Sequence, residues 1–412
     1  MKLAIVCQRS STGGWRYIYF LIKHIRNLRP QWNLTLLVSE INGIEEIDNL
    51  KKLNIAILPL QTQQIVSKSF KKKQKFKVKI LNKLYNSLRK RLYFFKKKRD
   101  IVIPISHSFE NYDAIFYAWP YGINAPQTSV PVFFIPHDFI VSHGFGLDGC
   151  GYYYQEYWSH IYSQLKTFID TKATPIVSSE YIRDEFNRIF PNAEKKPNVV
   201  YLSTFNEYEI LSQNDIKKVL DKYGIKNKYI LFANNNMPHK NLSQVIGAMY
   251  YVLQKYPDIK LIISGFQNQG ILGKINTPYY MDHTTNNDDW DIKGIGLLQN
   301  NEFSAVLQGA EMVINASLCE AGGGSASDAW KMGIPMVMSD IPSFKNQINF
   351  LGTKAELFEP REAKSIAQAI LKLLNNPEIA ENNSRISKEA MEKYSWNTVA
   401  EQYISIFEQE IK

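Results

Sequence analysis

The feature that most constrains this chain is the stretch at residues 315–343, NASLCEAGGGSASDAWKMGIPMVMSDIPS. Its pattern predicts a buried strand ending at Asn315, a glycine-rich turn, a helix over residues 325–332 and a second apolar strand over residues 335–339. Three consecutive glycines, Gly322, Gly323 and Gly324, let the backbone come close to a ligand because no Cβ stands in the way. The helix start at Ser325 then offers free N–H groups and the positive end of a dipole. Glu320 sits just past the first strand and Asp328 about one turn into the helix. Two carboxylates and an anion cradle are thus expected in one crevice at the carboxyl end of a parallel sheet, where open α/β sheets bind ligands. The arrangement suits an anionic nucleotide with a hydroxyl-rich group at each end.

This stretch resembles the signature of the retaining nucleotide-sugar glycosyltransferases of family four, the group-one glycosyl transferases. In that family a Glu, seven residues and a second Glu precede a helix, a Gly-x-Pro and a strand. Glu320 matches the first Glu, Asp328 replaces the second, and Gly333 and Pro335 match the Gly-x-Pro.

The rest of the chain reads around that stretch. Its 412 residues suggest two domains, and a 45% hydrophobic fraction is ample for packed cores. Cys7, Cys150 and Cys319 show no metal or redox spacing, and so sparse a set fits a reducing cytoplasm. The apolar run at residues 3–7 is short for a signal peptide, and no run approaches a membrane span. Strands are expected over residues 2–7, 34–39 and 55–59, with an amphipathic helix over 17–28, a βαβ start that implies a parallel, doubly wound sheet. Further strands are expected over 114–118, 132–135 and 198–202. A strand, cap and helix start fall at 175–182, with Ser178 or Ser179 as the cap. A second series of strands falls at 229–233, 259–264, 292–296 and 355–358. The aromatic run at residues 152–158 opens a helix and suits a core or an acceptor wall rather than a cofactor box.

The charge is uneven. Fifteen Lys and Arg, without one Asp or Glu, lie between residues 68 and 99, among them Lys71, Lys72, Lys73, Arg89, Arg91, Lys96, Lys97 and Lys98. The net charge of +10 less those fifteen leaves −5 over the remainder. Phe76, Ile80, Leu84, Leu88, Leu92 and Phe95 recur at helical steps within this run, so a basic amphipathic helix is expected. It suits an anionic membrane surface; a solvated helix face is the plainer reading. Nucleic acid fits poorly, since no known nucleic-acid module accompanies the run.

The resemblance implies roles residue by residue. Gly13-Gly14 is similar to a family loop whose amides approach the cleft, and His137-Asp138 to a His-Asp near the donor sugar. Lys240-Asn241 matches the family's Lys-Asn, with Lys240 on the diphosphate. Asparagines, Asn235 among them, stand where the family has an arginine. Gly265, Gly296 and Leu297 fall near the nucleotide base, and Gly323, Gly324 and Ser325 at the phosphates. Asp328 would then meet the ribose, and Glu320 the reacting sugar together with His137 and Lys240. An Asp-x-Asp at 289–291 is a weak metal motif, and neither metal nor cofactor is expected.

The implied fold is α/β: two facing doubly wound Rossmann-like domains, the GT-B architecture. Residues 1–204 would form the acceptor side, residues 205–394 the nucleotide-sugar side, and residues 395–412 a helix crossing back to the first domain. The implied activity is retaining transfer of a hexose from a nucleotide diphosphate sugar to a growing, lipid-linked surface glycan at the inner face of the cell membrane. Two other classes stay open: another nucleotide-sugar enzyme such as an epimerase, and a non-catalytic glycan- or membrane-binding relative. A dinucleotide oxidoreductase would want Gly-x-Gly-x-x-Gly after the first strand, which Gly13-Gly14 lacks.

Overall fold

A computed structural model of the protein describes residues 1–7, 12–39, 45–61, 107–143, 151–204, 209–235, 237–265 and 291–411. The basic run at 68–99, with all eight cations named for the membrane, lies outside them, as do Cys150, Asn236 and Asp289.

Two separate parallel sheets organise the chain. The first contains β1 (Lys2–Cys7), β2 (Asn33–Val38), β3 (Ala56–Pro59), β4 (Ala114–Trp119), β5 (Val132–Phe134), β6 (Thr174–Val177) and β7 (Asn198–Val199), in the order β3-β2-β1-β4-β5-β6-β7. The second contains β8 (Tyr229–Ala233), β9 (Lys260–Ser264), β10 (Ile292–Gly296), β11 (Met312–Asn315), β12 (Met336–Ser339) and β13 (Glu356–Phe358), in the order β10-β9-β8-β11-β12-β13. Each sheet therefore reverses its strand order once, between β1 and β4 and between β8 and β11, and each reversal opens a crevice at the carboxyl ends of those strands.

Helices of the first lobe are α1 (Thr12–Leu28), α2 (Glu45–Lys52), α3 (Gly151–Asp170) and α4 (Glu180–Ile189). Those of the second are α5 (Gln213–Lys222), α6 (Leu242–Leu253), α7 (Asn300–Gln308), α8 (Gly324–Met332), α9 (Pro342–Leu351), α10 (Ala363–Asn375) and α11 (Pro377–Lys393). The last helix, α12 (Trp396–Ile411), belongs by its packing to the first lobe. Helices cover both faces of each sheet, which is why the strands read as unbroken apolar runs. Successive side chains of β1 divide accordingly. Leu3, Ile5 and Cys7 join the core under α1 and α12, while Ala4 and Val6 join the core under α3 and α4. In the second lobe Ile230 and Phe232 face α6 and α10, and Tyr229 and Leu231 face α8.

The two Rossmann-like lobes meet through their connections. Phe407 of α12 is fully buried against Phe116 and Phe133, with ring centroids 5.5 and 4.8 Å away. The Tyr403 and Tyr17 hydroxyls pair at 2.9 Å, joining α12 to α1. Trp396 Nε1 donates to the Thr204 carbonyl at 2.5 Å, tying the return of the chain to its departure from the first lobe.

Two local expectations are corrected. Gly13 and Gly14 lie in the first turn of α1 and not in a loop before it, because the helix begins at Thr12. The strand expected over 198–202 pairs only at Asn198–Val199, and Val200 accounts for its N–H with the Val177 carbonyl as the chain leaves the sheet. Lys240 stands just before a helix, as its segment suggests, but a break separates them: Pro238–Lys240 forms a 3₁₀ turn, Asn241 adopts a left-handed conformation at φ 63°, and α6 begins at Leu242. The Asn241 amide secures that break by donating to the Pro360 carbonyl at 2.6 Å. Of the two candidate caps for α4, Ser179 is the one used, its side chain accepting from Ile182 N at 3.2 Å.

Phe407→Ala should cost about 3–5 kcal/mol, the usual range for emptying a buried aromatic site. Urea unfolding followed by circular dichroism would show it, and an unchanged midpoint would mean that α12 does not close the first core.

Candidate functional site

The site forms where the two strand-order reversals face each other. After β8 the chain makes the 3₁₀ turn that carries His239 and Lys240; after the neighbouring β11 it carries Ser317 and Glu320. Lys240 Nζ forms an ion pair with Glu320 Oε1, and both side chains are largely buried. The same carboxylate oxygen lies 2.9 Å from the Ser317 hydroxyl and 3.8 Å from His239 Nε2. The Leu318 N–H donates to the His239 carbonyl at 2.7 Å, so the two loops are stitched together through backbone as well as charge. Burial lowers the His239 pKa to about 4, so its ring is neutral at neutral pH and leaves Lys240 as the cation of this cluster.

The glycine-rich turn sits beside this pair. Gly323 caps α8 without a side chain, and a Cβ there would stand 3.0 Å from the Ala326 Cβ and 3.3 Å from the Met338 Cε. Its N–H does not wait for an anion, because the buried side chain of Gln347 on α9 accepts it at 2.7 Å. The anion cradle is therefore narrower than three glycines suggest and falls to the next amides, at Gly324 and Ser325, on the first turn of α8. Trp330 anchors the helix from behind, fully buried and donating from Nε1 to the Lys354 carbonyl at 2.9 Å. Asp328 is buried too, and its Oδ1 accepts from the Thr204 hydroxyl at 2.7 Å. The residue expected at the ribose thus also holds the strand of chain that leaves the first lobe.

Two adjoining cavities share Gly322 and Gly324. One, about 340 Å³, is walled by Asn234, Asn235, Lys240, Gly265, Leu297 and Asp328, with Ser325 at its floor and Arg16 entering from α1. Gly265 has φ +98°, and a Cβ there would come within 2.6 Å of the Asn234 carbonyl oxygen, so the β8 and β9 ends approach closely only because it is glycine. Gly296, at φ +78°, makes the matching turn after β10 and presents Leu297, which is 64% exposed. Asn235 is partly committed: its side-chain oxygen accepts from Met237 N at 3.2 Å, shaping the turn that delivers Lys240. The Asn234 amide nitrogen is buried without a partner among the described residues.

The other cavity, about 290 Å³, lies toward the first lobe and is lined by Gly14, Tyr17, Trp119, His137, Asp138 and Tyr201, facing Gly322–Gly324. His137 Nε2 donates to the Ala118 carbonyl at 2.7 Å, which places the ring's bare nitrogen at Nδ1. Trp119 and Tyr17 pack on the ring at 4.5 and 5.4 Å between centroids, and burial lowers its pKa to about 4. Asp138 accepts from Ile140 N at 3.0 Å. Burial raises its pKa to about 6, and the Glu320 charge across the cleft adds to the rise. A larger cavity of about 780 Å³ opens at the opposite, amino ends of the second sheet, beside Lys228, Ile259, Met312 and Pro335. The candidate site is the one at the carboxyl ends, because strand-order reversals open their crevices there.

Of the residues expected at the donor, all but Gly13 and Gly296 line one or other of these adjoining cavities, Gly14 from the opening turn of α1. Sequence reasoning does not reach Arg16, Thr204 or Gln347. Arg16 has a signal, two residues after Gly14, but Thr204 and Gln347 have none, since only the folded chain brings them to α8. Asp291, half of the Asp-x-Asp, pairs with Lys260 at 3.0 Å.

Two parallel sheets facing each other across a nucleotide-sized cleft define the GT-B architecture, and solved structures agree over the whole chain. The structure of Anabaena HepE in complex with UDP and glucose superposes with a TM-score of 0.66, at 15% identity, covering 99% of both chains. Residues 213–393, most of the second lobe, match the model of the glycosyl transferases group 1 family. The phosphatidyl-myo-inositol mannosyltransferase of Mycobacterium leprae is 24% identical over 44% of this chain and 46% of its own length, so the match spans about half of that relative. The O-antigen chain mannosyltransferase B of Escherichia coli is 21% identical over 67% of this chain and 72% of its own.

The raised Asp138 pKa has a definite sign. An acid whose pKa is higher folded than unfolded adds stability below its unfolded value and loses it as pH rises through the folded value. Wild type should therefore lose stability relative to Asp138→Asn between about pH 4 and the folded pKa of about 6. The Asn oxygen can still accept from Ile140. Thermal melts of both proteins across that range check this; parallel curves would show that Asp138 ionises normally.

Proposed function

We propose that the protein transfers a hexose from a nucleotide diphosphate sugar to a glycan acceptor, with retention of anomeric configuration. The observation that carries this reading is the Lys240–Glu320 pair, set beside the first turn of α8 between the two cavities. In the proposed complex the base lies against Leu297 and the backbone at Gly265 and Gly296, and the ribose hydroxyls reach Asp328. The diphosphate takes Lys240 and the amides of Gly324 and Ser325. It replaces Glu320 as the partner of Lys240 and frees that carboxylate for the sugar. Charge that grows on the departing diphosphate is stabilised by a lysine and a helix start already in place. The hexose then sits at the shared glycine turn, between Glu320 and the bare Nδ1 of His137. The acceptor enters over Trp119, Tyr201 and Asp138 of the first lobe.

The relatives sharpen the substrates to test. Two are mannosyltransferases, one named for a phosphoinositide lipid and one for a surface polysaccharide, which favours mannose and a lipid-linked surface glycan. Thermal shift with a panel of UDP-, GDP- and dTDP-sugars tests the donor, since a ligand at a hundred times its Kd adds about 2.7 kcal/mol. Glu320→Gln keeps the shape but removes the charge at the reacting sugar. Turnover should fall at least a hundredfold while the melting temperature holds, whereas near wild-type turnover would remove Glu320 from the chemistry.

The fifteen cations of residues 68–99 support a peripheral site on an anionic, cytoplasmic membrane face, at about 1 kcal/mol for each cation near the surface. Among the described residues no helix is long and apolar enough to cross a membrane. The protein should sediment with vesicles containing anionic lipid and not with neutral ones. Changing Lys71, Lys72, Lys73, Lys96, Lys97 and Lys98 together to Gln should release it. Equal sedimentation with both vesicle types would leave the run as a solvated surface.

A further inference from the structure

We infer that Arg16, delivered by the first lobe, is the second cation on the donor's diphosphate and the group that draws the two lobes together around it. The inference rests on the proposed nucleotide-sugar site and names a ligand of that site. Among the described residues lining the 340 Å³ cavity, Arg16 alone comes from the first lobe. Its Nη2 already reaches across the cleft to Asn300 Oδ1, at the first residue of α7, 2.5 Å away. The neighbouring position explains the aim. Tyr17 is buried, turned into the first lobe and bonded to Tyr403, and one residue of α-helix rotates about 100°, so Arg16 leaves that face. Gly14, two residues ahead, opens onto the adjoining cavity.

Charge balance gives the guanidinium its task. On the second lobe the cavity offers one ammonium, Lys240, and the start of α8, worth roughly half a charge. Against these stand two buried carboxylates, Glu320 and Asp328. That wall alone is not net positive, yet a diphosphate ester carries a charge on each phosphate and gains more as it departs. Arg16 brings the missing cation, and no carboxylate pairs with it among the described residues. Its resting partner is a neutral amide, which a phosphate would replace with a charge-assisted, bidentate contact. Because the charge belongs to the other lobe, binding the diphosphate and closing the cleft become one event.

Isothermal titration with UDP, GDP and dTDP, beside uridine, guanosine and thymidine, tests this on the full chain. Arg16→Ala should lower the affinity for the diphosphate that binds wild type at least tenfold, without moving the affinity for its nucleoside or the unliganded melting temperature. Arg16→Lys should recover part of the loss. Asn300→Ala, which removes only the resting partner, should bind diphosphate as wild type does. Small-angle scattering should show the wild type compacting with diphosphate and Arg16→Ala not. If Lys240→Ala weakens the diphosphate and Arg16→Ala does not, the Arg16 assignment falls and the site stands. If Asn300→Ala reproduces the loss, Arg16 is a strut and not a ligand. If wild type binds none of the three diphosphates, the donor site and the Arg16 assignment fall together.

Discussion

The bond from Thr204 to Asp328 is the smallest element on which the two-lobed arrangement turns. Thr204 is the last described residue before the chain passes to the second lobe, and its carbonyl receives the indole of Trp396, where the chain returns. Its hydroxyl donates to a buried carboxylate on the helix that begins at the glycine-rich turn. Departure, return and site helix are thus held at one point. Around it Ser203 donates to the Tyr394 carbonyl at 2.8 Å, and the Tyr394 hydroxyl to the Tyr201 carbonyl at 2.9 Å. Motion of one lobe against the other must strain these bonds, together with the Tyr201 hydroxyl bond to Asn346 and the Tyr201–Phe350 stack, so Asp328 joins the lobe junction to the proposed ribose contact.

The paired charges at the cleft floor follow another logic. Burying Lys240 and Glu320 carries a desolvation cost that their attraction repays only in good geometry, and removing one partner strands the other. Such a pair is poor evidence for stability and better evidence for a site that trades partners. Neutral His239 beside it adds a dipole and no competing charge, and Gln347 consumes an amide that would otherwise compete for the anion. The proposed site therefore reads as an ammonium, two amides at a helix start and an arginine across the gap.

Much of this was legible in the residues. The central strand β8 and the last helix fall where apolar runs and periodicity place them, because both faces of the sheet are covered and leave little freedom in the pattern. Turn and cap details were less legible. Gly13-Gly14 reads equally as a loop or as a first helical turn, since a helix's opening amides have no internal partners in either case. The break at Asn241 depends on a carbonyl more than a hundred residues away, at Pro360, which no local pattern records.

By itself the sequence determined the second lobe's strand–glycine turn–helix–strand unit, the placing of Glu320 and Asp328 around it, and the separation of a dense basic run from a mildly acidic remainder. Composition and spacing act over a few residues, and these are local matters. The tertiary structure decided which groups face one another: that Lys240 neutralises Glu320, that Gln347 takes the Gly323 amide, that Asp328 holds Thr204 and that Arg16 reaches Asn300. Each of these joins residues from separate strands or lobes. Strand order and the return of α12 set their distances, and those come from packing whole layers rather than from any stretch of sequence.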